Sequence, residues 1–369
     1  MKAFQFIFIT IMSFVILIAS IFTAKVYSLG LGLSSDATYK VVVISVLGPL
    51  LFMSTMLLGR FVKHKVFNAI SYIVNVFGGI IFYLFIWALF LGIVLFVGKV
   101  FNFTVPVFVS ILFLVLGFTF CVLGTVQALF IKKVFYDVLL PQAPNSWHGK
   151  KAILVTDTHF GNINHKKFSD KVVNKILEIK PDFVLHAGDF YDGPDNETNI
   201  ITESWKKLAQ TTPVFYTSGN HEEYGPYDKF IESITNAGVN VLLDKVTEYD
   251  GVQIAGIKFR GKKQNIKAQE IIDNLNIDKN KSLILINHHP AFQESAKVVN
   301  TDLMVSGHTH NGQFWPLNFI IRMAYGKYTY GINTDESLTT ITSRGVGTAG
   351  PPMRLFNSPE LVIINFRTK

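Results

Sequence analysis

The chain reads as two domains of different class: an α-helical membrane domain of four spans, then an α/β domain in which two packed β-sheets are flanked by helices. Three observations carry that reading. Four stretches hold no charged residue, Ala3 to Ala24, Val41 to Gly59, Val66 to Gly98 and Phe101 to Ile131, and each exceeds the roughly 18 apolar residues that mark a membrane-crossing helix. Beyond them the hydrophobic period changes, and short β-branched runs alternate with amphipathic helical stretches. Five of those runs end in clusters of Asp, Asn and His, and in open α/β sheets ligands gather beyond the carboxyl ends of the strands.

The membrane domain is expected over residues 1–133, a linker over 134–149 and the α/β domain over 150–369. A hydrophobic content of 49% in 369 residues is too high for a purely soluble protein. Val66 to Gly98 is long for one helix but short for two and a turn, so it reads as a single span with an interfacial end. The first stretch admits a second reading, a cleaved signal peptide with Lys2 as its basic start. Its apolar run is longer than the usual signal core, and three more spans follow. The linker is read from Pro141, Pro144 and the polar run Asn145-Ser146-Trp147-His148.

The net charge of +8 does not imply nucleic acid. Up to Ile131 there are seven Lys and Arg against Asp36 alone, and the rest of the chain is nearly balanced at 27 against 25. The basicity therefore belongs to membrane loops. With four spans, Lys2, Arg60, Lys63, Lys65, Lys132 and Lys133 fall on one side and Lys25, Lys40 and Lys99 on the other, which puts the C-terminal domain in the cytoplasm. The only cysteine, Cys121, lies inside the fourth apolar run, so no intrachain disulfide can form. Nothing in the sequence calls for an obligate protein partner.

In the α/β domain the spacing predicts helices over Lys167 to Ile179, Ile200 to Ala209, Tyr227 to Asn236 and Lys267 to Leu275. In the first, Phe168, Val172, Ile176 and Ile179 share one face, and Lys171, Lys175 and Glu178 lie on the other. Further strands are predicted over Val239 to Leu243, Val252 to Ile257, Ser337 to Thr342 and Leu361 to Phe366. The five runs that end in polar clusters are Ala152 to Thr156 before Asp157-Thr158-His159, Phe183 to Ala187 before Gly188-Asp189-Phe190-Tyr191-Asp192, Val214 to Ser218 before Gly219-Asn220-His221-Glu222, Leu283 to Ile286 before Asn287-His288-His289-Pro290, and Leu303 to Val305 before Ser306-Gly307-His308-Thr309-His310. Two imidazoles one residue apart, flanked by glycine, can face one site only where the backbone leaves a strand and turns sharply. Imidazole and carboxylate donors without thiolate favour Mn, Fe or Zn over Mg or Ca.

These clusters, in this order, resemble the motifs of the calcineurin-like metallophosphoesterases: Asp-x-His, Gly-Asp-x-x-Asp, Gly-Asn-His-Asp/Glu, His and Gly-His-x-His. The resemblance covers roughly the last 220 residues and implies that family's four-layer sandwich and two divalent ions. By it, Asp157, His159 and His310 hold one ion, Asn220, His288 and His308 hold the other, and Asp189 bridges. A shared carboxylate lowers the repulsion between two cations, and the pair activates a water for in-line attack on phosphorus. His221 would contact the substrate phosphate and protonate or stabilise the leaving oxygen, with Asp192 orienting it. Asp192 admits a second reading as a turn residue in Asp192-Gly193-Pro194. The ligand of the histidine pair is His288 by the family register, with His289 the alternative.

Further on, Arg344-Gly345-Val346-Gly347, Pro351-Pro352-Met353-Arg354 and Pro359-Glu360 look like the closing signature of the branch with N-terminal membrane segments. Arg354 is a candidate for substrate phosphate, or for pairing with Glu360. The run Arg260-Gly261-Lys262-Lys263 reads as a solvated loop. The function expected is a membrane-anchored binuclear phosphodiesterase or pyrophosphatase. Similarity to UDP-diacylglucosamine pyrophosphatases and transmembrane metallophosphoesterases points to a phospholipid or nucleotide-linked lipid, with the bilayer itself as a partner. The alternatives are a hydrolase of a soluble phosphodiester or cyclic nucleotide, and a non-enzymatic membrane sensor. A transporter is disfavoured, because no charge interrupts any span.

Overall fold

The computed structural model describes residues 3–58, 62, 65–193, 198–261 and 268–369. Lys2, Gly59, Arg60, Lys63, Pro194, Lys262, Lys263 and Lys267, used above, lie outside the described residues. The chain divides into two compact units, residues 1–128 with 350–355, and residues 129–349 with 356–369.

The first unit holds four helices, α1 (Ala3–Gly30), α2 (Ser35–Leu58), α3 (Lys65–Val100) and α4 (Val107–Ala128), all long and apolar enough to cross a membrane. The stretch Val66 to Gly98 is indeed one helix, 36 residues in α3. At 1.5 Å per residue that is about 54 Å, well beyond the roughly 30 Å hydrocarbon thickness that a single span must cover. Between the helices Tyr27, Ala88 and Leu91 pack with Phe22, Leu84 and Phe113. Residues 350–355 belong to this unit. Met353 fits where Gly124 lacks a side chain, a Cβ there lying 3.5 Å from Met353 Cβ, and the Arg354 N–H donates to Gly124 O at 2.8 Å. Small residues let backbones approach closely in this way.

The second unit contains two six-stranded sheets. The first has the order β1 (Lys132–Leu139), β12 (Glu360–Arg367), β2 (Lys151–Val155), β3 (Phe183–Ala187), β4 (Val214–Thr217), β5 (Asn240–Val241). The second runs β10 (Gly331–Asp335), β11 (Leu338–Thr342), β9 (Leu303–Ser306), β8 (Leu283–Asn287), β7 (Val252–Ile257), β6 (Lys245–Tyr249). Strands β2 to β5 pair in parallel, as do β7, β8, β9 and β11, while β12, β10 and β6 each pair antiparallel with a neighbour.

Alternation along each strand builds three apolar layers. Ala152, Leu154, Leu185 and Val362 of the first sheet meet Ile254, Ile284, Val305 and Ile341 of the second. Ile153, Val155, Val184 and Tyr216 face helices α5 (Lys166–Ile179), α6 (Thr198–Ala209) and α7 (Tyr227–Asn236) through Val172, Ile176, Trp205 and Phe230. Ala255, Leu285 and Met304 are covered by α8 (Ala268–Asp273) and α9 (Gln293–Val298) through Ile272 and Ala296. The result is the four-layer αββα sandwich. One further helix, α10 (Leu317–Tyr325), follows β9.

The expected linker is not a linker. Residues 132–139 pair in parallel with β12, and Trp147 is fully buried, its Nε1 donating to Asp250 O at 2.9 Å and its ring packed edge-on against Phe183 and Phe366. The prolines and polar residues that signalled a linker occupy only the turn between β1 and β2. Segment 350–355 likewise departs from the expected domain, since it groups with the helices.

Candidate metal centre

Five loops bring the polar clusters together at one end of the sheets. Asp157, Asp189, Asn220, His288 and His308 each follow β2, β3, β4, β8 or β9 within three residues. To turn a side chain inward immediately after a strand, the backbone takes left-handed conformations: φ is 53° at Asp157, 46° at His159, 52° at Asp189, 71° at His308 and 48° at His310. Each costs on the order of 1–3 kcal/mol and persists only where the surroundings over-determine it. They do so here. Thr156 Oγ1 donates to Asp157 Oδ2 at 2.9 Å and is 3.0 Å from Ala187 O, and the His308 N–H donates to Asp157 Oδ1 at 3.1 Å. Gly307 must be glycine, because a Cβ there would lie 2.7 Å from Thr156 Cγ2.

The donors form two adjoining sets. In one, His159 Nε2 is 3.0 Å from His310 Nε2, 3.9 Å from Asp157 Oδ1 and 3.8 Å from Asp189 Oδ2, and His310 Nε2 is 3.4 Å from Asp157 Oδ1. In the other, His288 Nε2 is 3.1 Å from Asn220 Oδ1, 3.2 Å from Asp189 Oδ2 and 3.3 Å from His308 Nδ1, which is itself 2.8 Å from Asn220 Oδ1. Atoms bound at about 2.0–2.2 Å to one ion stand roughly 3.0–3.5 Å apart. Asp189 Oδ2 touches both sets.

The protons on these rings are decided elsewhere. His288 Nδ1 lies 2.7 Å from Ala187 O and must donate to it, so neutral His288 offers Nε2 as a lone pair. His159 Nδ1 lies 3.1 Å from Asp192 Oδ1, which leaves its Nε2 likewise a lone pair. Asn220 Nδ2 donates to Tyr224 Oη at 3.3 Å, so its carbonyl oxygen turns inward. A cluster of acceptors facing acceptors, buried, needs a cation, and this donor set fits one. Three groups of these residues have geometry that could hold a metal: Asp157, His159 and His310; His159, Asp189 and His221; Asp157, Asp189 and His288.

The electrostatics show the same demand for positive charge. Burial raises the Asp157 carboxyl above the usual carboxylate range. Burial opposes charge on His288, yet the Asp189 carboxylate outweighs it and lifts the imidazole to about 9. His308, desolvated and beside His288, is driven well below the ordinary imidazole range and stays neutral. His221 lifts to about 10, because Asp189 and then Asp192 overcome its burial.

Each sequence-predicted donor, Asp157, His159, Asp189, Asn220, His288, His308 and His310, is brought into this cluster. His221 sits at its border, with its N–H donating to Asp189 Oδ1 at 2.9 Å and its ring 4.4 Å from that of His159. Asp192 Oδ1 lies 3.1 Å from Nδ1 of both His159 and His221, so one carboxylate orients two rings. His289 stands outside the donor sets and packs its ring 4.8 Å from that of His308. Arg354 is fully buried and groups with the helices. Glu360 is ion-paired with Arg344, Nε at 2.9 Å, and accepts hydrogen bonds from Tyr330 Oη and Ser343 Oγ.

Sequence reasoning missed Glu222. Fully buried, its carboxylate accepts from the N–H of Asp189 (3.1 Å), Gly219 (2.6 Å) and Tyr191 (2.9 Å), tying the β3 and β4 loops together. The signal was its place directly after His221, where an acid has no solvent to face. Gly345 and Gly347 form the wall behind Asp157. A Cβ at Gly345 would lie 2.6 Å from Asp157 Cβ, and the Gly347 N–H donates to Asp157 O at 2.8 Å.

Comparison with known proteins agrees with this geometry. Residues 150–312 match the family model described as calcineurin-like phosphoesterase. An uncharacterized metallophosphoesterase of Campylobacter jejuni is 27% identical over 232 residues, 62% of this chain and 62% of that one. Another from Helicobacter pylori is 29% identical over 225 residues, 59% of this chain and 60% of that one. A transmembrane protein with metallophosphoesterase domain from Danio rerio is 24% identical over 274 residues, 69% of this chain and 62% of that one. The matches thus span about three fifths of the length of these relatives.

Proposed function

From a chain that belongs, through residues 150–312, to the calcineurin-like metallophosphoesterases, we propose a membrane-anchored, two-metal hydrolase of a phosphodiester or pyrophosphate bond. The observation that carries it is Asp189, whose Oδ2 lies within 3.2 Å of His288 Nε2 and 3.8 Å of His159 Nε2, one from each donor set. Asp157, His159, His310 and Asp189 would hold one divalent ion, and Asp189, Asn220, His288 and His308 the other; Mn, Fe or Zn suits these donors. When bound, such a pair polarises the phosphate and acidifies water.

The chain's own residues supply the rest. His221 would carry a proton that the leaving oxygen can take, since the Asp189 and Asp192 carboxylates raise its imidazole above the ordinary range. Asp192 fixes that ring through Nδ1 at 3.1 Å. Glu222 keeps the loops bearing Asp189 and Asn220 at a constant spacing.

The substrate class we favour is a phospholipid or a nucleotide-linked lipid. Four apolar helices tether the domain to a bilayer, which raises the effective concentration of lipid-borne phosphoesters at the site. A soluble phosphodiester is the competing reading, and a sensor that only binds its ligand is disfavoured by the complete donor set beside a positioned His221. The test is turnover by the purified full-length protein, stripped with chelator and reloaded separately with Mn, Fe or Zn, on matched lipid-linked and soluble phosphodiesters. Turnover restored by metal and faster on the lipid-linked esters supports the reading. No turnover on any ester with two ions bound removes it.

A further inference from the structure

Helix α10 turns an apolar stripe to solvent. Phe319, Ile320 and Met323 are 60%, 61% and 87% exposed, while Leu317, Ile321 and Tyr325 on the other side are half-buried. At about 100° per residue, positions 319, 320 and 323 share one face. Adjacent large apolar side chains exposed together mark a surface that something covers.

Three observations identify what covers it. Tyr325 Oη lies 3.2 Å from His289 Nε2, whose ring packs on His308, so α10 is built against the wall of the donor cluster. Trp315, just before the helix, packs edge-on against Phe356 at 6.4 Å, which fixes the start of α10 on its own unit and leaves the outer stripe open. The charge on the helix is one-sided as well: exposed Arg322 is the one charged residue of α10, while Lys327 beyond it is paired with Asp335 Oδ2 at 3.6 Å. Apolar residues flanked by base, in a chain carrying four candidate spans, match a bilayer surface with anionic headgroups.

We propose that α10 is an interfacial helix. It lies along the bilayer surface with Phe319, Ile320 and Met323 in the boundary between headgroups and acyl chains, and Arg322 among anionic headgroups. The donor cluster is thereby held beside the lipid whose phosphoester it cleaves. This second statement rests on the lipid reading above; the placement of α10 does not.

The experiment uses full-length protein carrying Cys121→Ser and Met323→Cys, labelled at 323 with an environment-sensitive fluorophore. It is reconstituted into vesicles of phosphatidylcholine and phosphatidylglycerol, with or without acyl-chain-brominated lipid. The label at 323 is expected to emit blue-shifted and to lose about half or more of its emission to bromine, as an interfacial residue should. A label at Lys207→Cys, on the polar side of α6, should do neither. Emission at 323 that matches the Lys207→Cys control overturns the proposal. So does a blue shift indifferent to bromine, which would mean that a second copy of the chain, and not lipid, covers the stripe. Turnover on the same vesicles separates the two readings. Quenching without hydrolysis of any lipid ester removes the lipid substrate and keeps the interfacial helix, whereas hydrolysis without quenching does the reverse.

Discussion

Glu222 holds the backbone of Asp189: Oε2 of the one accepts the N–H of the other at 3.1 Å, and the same oxygen accepts the Gly219 N–H at 2.6 Å. The loop that carries the shared carboxylate and the loop that carries Asn220 therefore meet on a single buried atom. Glu222→Ala strands three buried N–H groups, those of Asp189, Gly219 and Tyr191. The expected cost is roughly 3–5 kcal/mol, the range for opening a buried charged network. A thermal melt in detergent should fall and bound metal should fall with it, while Glu222→Gln, which keeps one acceptor, should lie between. Unchanged melting and full metal content in Glu222→Ala would show that the loops are held by other bonds.

Asp189→Asn removes the charge that both donor sets share. Without that shared carboxylate the two donor sets would hold two cations less well, so at least one ion should be lost, and turnover should fall at least about 100-fold. Elemental analysis of the purified variant decides the point. Two ions per chain with full turnover would mean that Asp189 does not bridge.

His221 touches Asp189 through its backbone but takes its orientation from Asp192. His221→Ala should keep its metal while losing roughly 100- to 10,000-fold on esters with poor leaving groups, the range for a general acid, and far less on an activated nitrophenyl ester. The pH dependence has a definite sign. With the imidazole raised above its ordinary range by its carboxylate neighbours, Asp189 and then Asp192, the proton is present at neutral pH and activity on poor leaving groups falls as pH rises into the alkaline range. The falling limb should be missing in His221→Ala. Equal losses on both esters would instead assign His221 to phosphate binding alone.

The donor cluster was legible because its seven donors lie within four residues of the ends of five strands, so a local pattern of apolar run and polar ending carries it. The same holds for α7, whose bounds, Tyr227–Asn236, follow from period alone. Strand β1 was not legible. Its partner is β12, with Lys132 opposite Glu360, and a parallel pairing across that much chain leaves no local trace beside Pro141 and Pro144. Strands β6 and β10 are short edge strands with mixed exposure, and α10 hides because its outer face is apolar and mimics a buried run. Segment 350–355 carries no periodicity at all. Its place among the helices depends on gaps left by Gly79 and Gly124, which lie far away in sequence.

The last prediction concerns the side of the membrane. Lys132 and Lys133 open β1, with three residues between them and the end of α4 at Ala128, so they count with the loop that follows the fourth apolar helix. If all four helices cross, those two lysines join Lys2, Arg60, Lys63 and Lys65 on one side, against Lys25, Lys40 and Lys99 on the other, and the richer side is expected to face the cytoplasm. A reporter fused after Lys369 that works only in the cytoplasm should be active, and protease added to intact cells should leave residues 129–369 whole. That outcome would give the site access to inner-leaflet lipids and nucleotide-activated precursors. If protease removes the domain instead, one of the four apolar helices does not span, with α3 or a cleaved α1 the first to examine, and the phosphoester must come from the outer leaflet or beyond it.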